Sequence, residues 1–141
     1  MKVTLTRQND AFLFEGKGAT GHSVFIDNKT LDDVQGSSPM ELLLMAVGSC
    51  NAIDIVSILN KQKQQIDSYS INVEGERIDV NKAKPFKAIA VQIYLEGDID
   101  PHKALRAAEL SFTKYCSVSM TIGDAVDISY EVFVNGNKVE K

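Results

Sequence analysis

Two cysteines, Cys50 and Cys116, are the side chains of this sequence best suited to covalent chemistry. Two are too few for a disulfide scaffold, and they stand too far apart to form a local metal motif. A pair of thiols that folding brings together can cycle between a reduced and a disulfide form. For one of them to act as a nucleophile its thiolate must be stabilised by a cation, a helix N-terminus or a hydrogen-bond donor. Cys50 lies in Gly48-Ser49-Cys50-Asn51-Ala52, where small neighbours leave the sulfur approachable, and Cys116 in Lys114-Tyr115-Cys116-Ser117-Val118-Ser119. The plain alternative is that both are small core hydrophobes, the ordinary state of a free cysteine.

Asp54 follows Cys50 by one helical turn, on the same face, where its charge would raise the thiol pKa and weaken it as a nucleophile. A structural role, accepting a hydrogen bond in a crowded core, is the other reading of Asp54. His102 follows Pro101 at a helix start, where an imidazolium meets the positive end of the dipole, so it reads as a surface residue. The two histidines and two cysteines are not spaced as ligand pairs, and no metal or other cofactor is assigned from the sequence.

The elements that must position these residues are legible from patterning. Val3/Leu5, Phe12/Phe14 and Val24/Ile26 give three short alternating stretches separated by Asn9-Asp10 and by Gly16, Gly18 and Gly21, which predicts an N-terminal meander. A polar stretch from Asp27 to Ser37 follows. Ser38-Pro39-Met40-Glu41 then opens a helix: Ser38 caps, Pro39 suits the first position, and Glu41 completes a capping box. The helix is expected to continue to about Lys63, with Cys50 about three turns in, too deep for the macrodipole to reach.

Tyr69/Ile71/Val73 and Ile89/Val91/Ile93/Leu95 predict two longer strands joined as a hairpin by a loop from Asp79 to Pro85. Asp100-Pro101 opens a second helix, expected over about 101–115 from Leu105, Ala108, Phe112 and Tyr115, with Cys116 just beyond its end. A last strand carries Ile128, Tyr130, Val132 and Val134 and is closed by Asn135-Gly136. The order β-β-β-α-β-β-α-β, with strands in blocks, predicts an α+β fold with a mixed or antiparallel sheet.

The length and the absence of linkers predict a single domain spanning residues 1–141. The run from Met40 to Leu59 is long enough to suggest a membrane span, but Glu41, Gly48, Ser49, Asn51, Asp54 and Ser57 interrupt it, so a buried central helix is expected instead. A helix apolar nearly all round must be covered on all sides, and six strands of one chain are too few, so an obligate homodimer is expected. With 15 Lys and Arg against 19 Asp and Glu and a net charge of −4, no basic surface suits nucleic acid. The alternating N-terminus shows no apolar leader, which reads as a cytoplasmic protein.

The chain resembles the OsmC/Ohr family of thiol-dependent hydroperoxide reductases over essentially its whole length. The resemblance rests on the meander, on Ser38-Pro39-Met40-Glu41-Leu42 followed by Cys50, and on Tyr115-Cys116-Ser117-Val118 after the second helix. It implies an intertwined homodimer in which Cys50 is the peroxidatic cysteine, oxidised to a sulfenic acid, and Cys116 the resolving one. It also implies organic hydroperoxides as substrates and a dithiol reductant such as lipoamide or a thioredoxin-like donor.

The sequence departs from the family pattern twice. The glutamate that follows the helix-opening proline in the peroxidases is here Met40, with Glu41 one residue on as a candidate thiolate-site carboxylate or simply the capping partner of Ser38. The arginine of the N-terminal strands is absent from Phe14 to His22, where Lys17 and His22 are the candidate cations, although lysine lacks arginine's planar fork. These departures leave a second reading open: the same fold serving as a small-ligand-binding or redox-sensing module, with an apolar cleft. A nucleic-acid module of the K-homology kind finds no support, since no GXXG clamp lies between two helices.

Overall fold

The computed structural model describes residues 1–30 and 32–140 and divides into two compact units, Met1–Leu43 and Leu44–Lys141. In the first unit the expected meander forms: β1 (Thr4–Arg7), β2 (Phe14–Lys17) and β3 (Ser23–Ile26) pair antiparallel in sequence order. The Asn9 carboxamide shapes the first turn by accepting from the amides of Ala11 and Leu13 at 3.0 and 3.2 Å. Asp27 is buried after β3, and its carboxylate accepts from the amides of Asn28 at 2.7 Å and Gln35 at 3.1 Å. The polar stretch is thus closed on itself, and Ser37 returns to bridge Ile26.

Helix α1 (Pro39–Lys61) opens at Pro39 as expected and ends two residues before the limit read from the sequence. The capping box is complete: Glu41 accepts from the amide and hydroxyl of Ser38 at 2.7 and 2.6 Å, and its own amide donates to Ser38 Oγ at 3.3 Å. These bonds, the hydroxyl first, hold the Glu41 carboxyl below its ordinary range.

In the second unit β4 (Gln65–Arg77) and β5 (Phe86–Asp98) form the expected hairpin. β6 (Asp127–Val134) lies parallel to β5, and a two-residue β7 (Asn137–Lys138), not foreseen from the sequence, extends the edge. The sheet is therefore mixed, in the order β4-β5-β6-β7. Alternation along β5 sends Ile89, Val91, Ile93 and Leu95 into the core, joined by Val132 and Val134 of β6.

Val47, Asn51, Ile55 and Leu59, four residues apart in succession, are the fully buried stripe of α1. Gly48 marks its close approach to the sheet: a side chain there would place its Cβ 2.8 Å from Cγ2 of Val73. The rest of the helix is less covered, with Met45 at 53% and Ile53 at 70% exposure. By length and composition α1 is the one described helix that could cross a membrane, but its stripe belongs to this core.

The second helix departs from expectation. α2 (Pro101–Leu110) is capped by Asp100, which accepts from the amides of His102 and Lys103, but it ends five residues early. A π-helical turn (Ser111–Tyr115) follows, closed by the Cys116 amide donating to the Ser111 carbonyl at 2.9 Å. A short third helix, α3 (Ser117–Ile122), not foreseen from the sequence, then begins. The wider turn shifts the side chains relative to a regular helix, so that Ser111 is fully buried while Phe112 stacks on Tyr130 of β6, ring centroids 4.5 Å apart.

Candidate functional site

Cys50 and Asp54 project from one face of α1, because residues four apart are neighbours on a helix. Cys116 reaches them from the corner between the π-helical turn and α3. The two sulfurs and a carboxylate oxygen of Asp54 all lie within 4.8 Å of one another. Both cysteines are free thiols; Cys50 is half-buried and Cys116 is 0% exposed.

The first turn of α3 serves both sulfurs with consecutive amides. The Ser119 amide donates to Cys116 Sγ at 3.3 Å, and the Val118 amide donates to Cys50. The Ser119 hydroxyl adds a second bond to Cys116 Sγ at 3.2 Å. That hydroxyl in turn accepts from Asn51 Nδ2 at 3.1 Å, which fixes the direction in which its single proton points. Asn51 is fully satisfied: its other Nδ2 proton goes to the Val47 carbonyl at 2.8 Å, and its Oδ1 accepts from Ser111 Oγ at 2.8 Å. Ser111 Oγ also stands 3.0 Å from Asp54 Oδ2 and shares its one proton between the two acceptors, so a buried polar chain runs from Asp54 through Ser111, Asn51 and Ser119 to the Cys116 sulfur.

The electrostatics oppose ionisation of Cys50. Burial, then the hydrogen bond and charge of Cys116, then the Asp54 carboxylate push its pKa up, against a smaller lowering by the Val118 amide. The carboxylate thus acts on the thiol in the direction expected from its spacing, and it also has the structural hydrogen bond to Ser111.

Beside Asp54 opens a cleft of about 530 Å³, lined by Ile58, Lys61, Gln62, Leu110 and Tyr115 among others. Asp54, which meets both sulfurs, forms part of its wall.

The remaining candidates lie elsewhere in the chain. Lys17 is in β2, its ammonium 3.0 Å from the Glu15 carboxylate, which Ser23 Oγ also reaches at 2.5 Å. His22 is exposed in the turn before β3, and Glu41 is engaged by Ser38. All three belong to the first unit. His102 is exposed at the start of α2, as its position suggested.

Asn51, Ser111 and Ser119 were not foreseen as site residues. A polar Asn51 in the middle of an apolar stripe was the available signal: an amide carried into a core needs partners, and its partners are the residues that orient the second thiol.

Residues 31–131 match the family described as OsmC-like protein. Protein YhfA of Escherichia coli K12 is 37% identical over 126 residues, covering 87% of this chain and 92% of its own. The chain belongs to the OsmC-like family. Solved structures agree with this membership. A hypothetical protein from Aquifex aeolicus is 29% identical with a TM-score of 0.80, covering 95% of this chain and 96% of its own. The organic hydroperoxide resistance protein OhrB of Bacillus subtilis shares the fold, with a TM-score of 0.64 at 20% identity, 94% of this chain and 96% of that one being covered. The α+β architecture of this OsmC-like chain is thus that of its family.

Proposed function

We propose that the protein is a two-cysteine thiol peroxidase that reduces organic hydroperoxides, with Cys50 attacking and Cys116 resolving. The observation that carries the reading is the meeting of the two sulfurs within 4.8 Å of each other, one half-buried and the other fully buried. The Cys50 thiolate attacks the outer oxygen of the O–O bond, giving a sulfenic acid and an alkoxide that leaves as alcohol after taking a proton. The Cys116 thiolate then attacks the Cys50 sulfur, forming the disulfide and releasing the hydroxyl as water. Two electrons have passed to the peroxide, and an external dithiol, of the lipoamide or thioredoxin-like class, returns them.

The cleft beside Asp54 favours an organic substituent over hydrogen peroxide, since Ile58, Leu110 and Tyr115 contribute to its wall. A name of the kind carried by OhrB, a family relative in fold, supports the same chemistry. The protein acts as a cytoplasmic homodimer in this reading. Met45 and Ile53 on α1 and Met120 on α3, exposed at 53%, 70% and 64%, are the apolar surface that a second copy covers.

A second reading keeps the fold and drops the turnover. It is favoured by the raised pKa of Cys50 and by the Asp54 carboxylate beside it, which suit a slow redox sensor or a ligand-binding module better than a fast scavenger. A single-turnover titration of the reduced protein with cumene hydroperoxide separates the two. Rapid loss of both thiols with an intramolecular Cys50–Cys116 disulfide in the product mass supports the peroxidase. Thiols intact after minutes of excess peroxide support the binding module.

A further inference from the structure

The three groups that meet around Cys50 are all acids, two thiols and a carboxylate, and each is held in place by a neighbour. Ser111 Oγ fixes Asp54 Oδ2 at 3.0 Å, and the Ser119 amide and hydroxyl fix Cys116 Sγ at 3.3 and 3.2 Å. Cys50 and Asp54 sit four residues apart on α1, the spacing at which two helical side chains share one ion. Tetrahedral zinc, with Zn–S near 2.3 Å and Zn–O near 2.1 Å, needs its ligand atoms roughly 3.5–3.8 Å apart. These three lie within 4.8 Å of one another, so small rotations of side chains suffice.

We propose that Cys50, Cys116 and Asp54 form a three-ligand site for a thiophilic divalent cation of the zinc class, available only while the two thiols are reduced. Two thiolates and one carboxylate carry three negative charges against the ion's two. The protons still on the thiols are released to solvent as the metal–sulfur bonds form. Asp54 also lines the cleft, and we place the fourth position on that side, where a water or a small ligand would exchange. The hydrogen bonds from Ser111 and Ser119 are the outer-sphere contacts that such a site requires, and both are already made. Formation of the Cys50–Cys116 disulfide removes both sulfur ligands and expels the ion. Binding and oxidation are therefore mutually exclusive.

This inference goes beyond the peroxidase reading and does not depend on it. The test is an anaerobic titration of the reduced full-length protein with Cd2+ alone, following the ultraviolet thiolate-to-cadmium charge-transfer absorption. The expected result is a sharp break at one ion per chain, with proton release in weak buffer. Cadmium NMR of that complex should show a shift typical of mixed sulfur and oxygen ligation. Asp54→Asn, which keeps the size and the acceptor for Ser111, should keep the absorption per bound ion and weaken binding by roughly tenfold or more.

Absorption that grows without a break, a cadmium shift in the pure-thiolate range, or an Asp54→Asn protein that binds as tightly as the parent overturns the site. The cadmium shift is read on the unaltered protein, so poor folding of the variant leaves the test intact. A protein inert to hydroperoxide that still takes up one ion keeps this inference, and an active peroxidase that takes up none loses it.

Discussion

The carboxamide of Asn51 and the hydroxyl of Ser119 meet at 3.1 Å inside the second unit, joining the middle of α1 to the start of α3. Through that bond the residue next to Cys50 in sequence governs the orientation of a donor to Cys116. The stretch of α1 that carries Cys50 is therefore tied to the Cys116 sulfur through Asn51 and Ser119.

The roles of the cysteines divide sharply in the peroxidase reading. Cys50→Ser should abolish peroxide turnover. Cys116→Ser should still undergo one oxidation per chain and stop at a sulfenic acid, visible as a dimedone adduct in the intact mass. Equal effects of the two substitutions would contradict the assignment.

The pH dependence follows from the environment of Cys50. Its pKa is raised by burial, by Cys116 and by Asp54, and the thiolate is the attacking form, so the reactive fraction is small at neutral pH. Single-turnover thiol loss should climb about tenfold per pH unit through neutrality and still be rising near pH 9. Asp54→Asn, by removing one of the raising charges, should speed the reaction at neutral pH. A rate already on a plateau at pH 7 would show a thiolate stabilised by something other than the groups described.

Asn51 is the keystone of the polar chain. Asn51→Ala leaves Ser119 Oγ without its donor and Ser111 Oγ without one acceptor, and an unsatisfied buried group costs roughly 1–3 kcal/mol. Urea denaturation should register that loss. In the peroxide assay the first oxidation of Cys50 should proceed while disulfide closure slows, because Cys116 is no longer held in position. Unchanged closure would make Asn51 purely a packing residue.

The exposed apolar face of α1 predicts the assembly state. Light scattering should give the mass of two chains. Ile53→Glu, which places a charge on that face, should shift the mass toward one chain without unfolding the sheet. A monomeric parent protein would refute the dimer.

Much of the frame was legible in the sequence because it rests on local signals. Ser38, Pro39 and Glu41 announce α1, Asp100 and Pro101 announce α2, and the alternation of β5 marks its core face. The π-helical turn was not legible, since no glycine or proline marks Ser111–Tyr115 and the contacts its residues make are tertiary: Phe112 stacks on Tyr130 of β6 and Ser111 bonds to Asn51. The same reason hid the site's polar members. Ser111 and Ser119 acquire their roles only when a distant helix supplies a partner, and single-sequence patterning carries no signal for such a meeting.

The consecutive amides at the start of α3, Val118 facing Cys50 and Ser119 facing Cys116, have a practical consequence. Each amide proton is coupled to the electron density of a different sulfur, and that density falls when a thiol becomes a sulfenic acid or half of a disulfide. The two backbone resonances are thus separate, label-free gauges of the two oxidation events. Recorded in one heteronuclear spectrum during oxidant addition, they would give the order in which the sulfurs react, with no side chain altered.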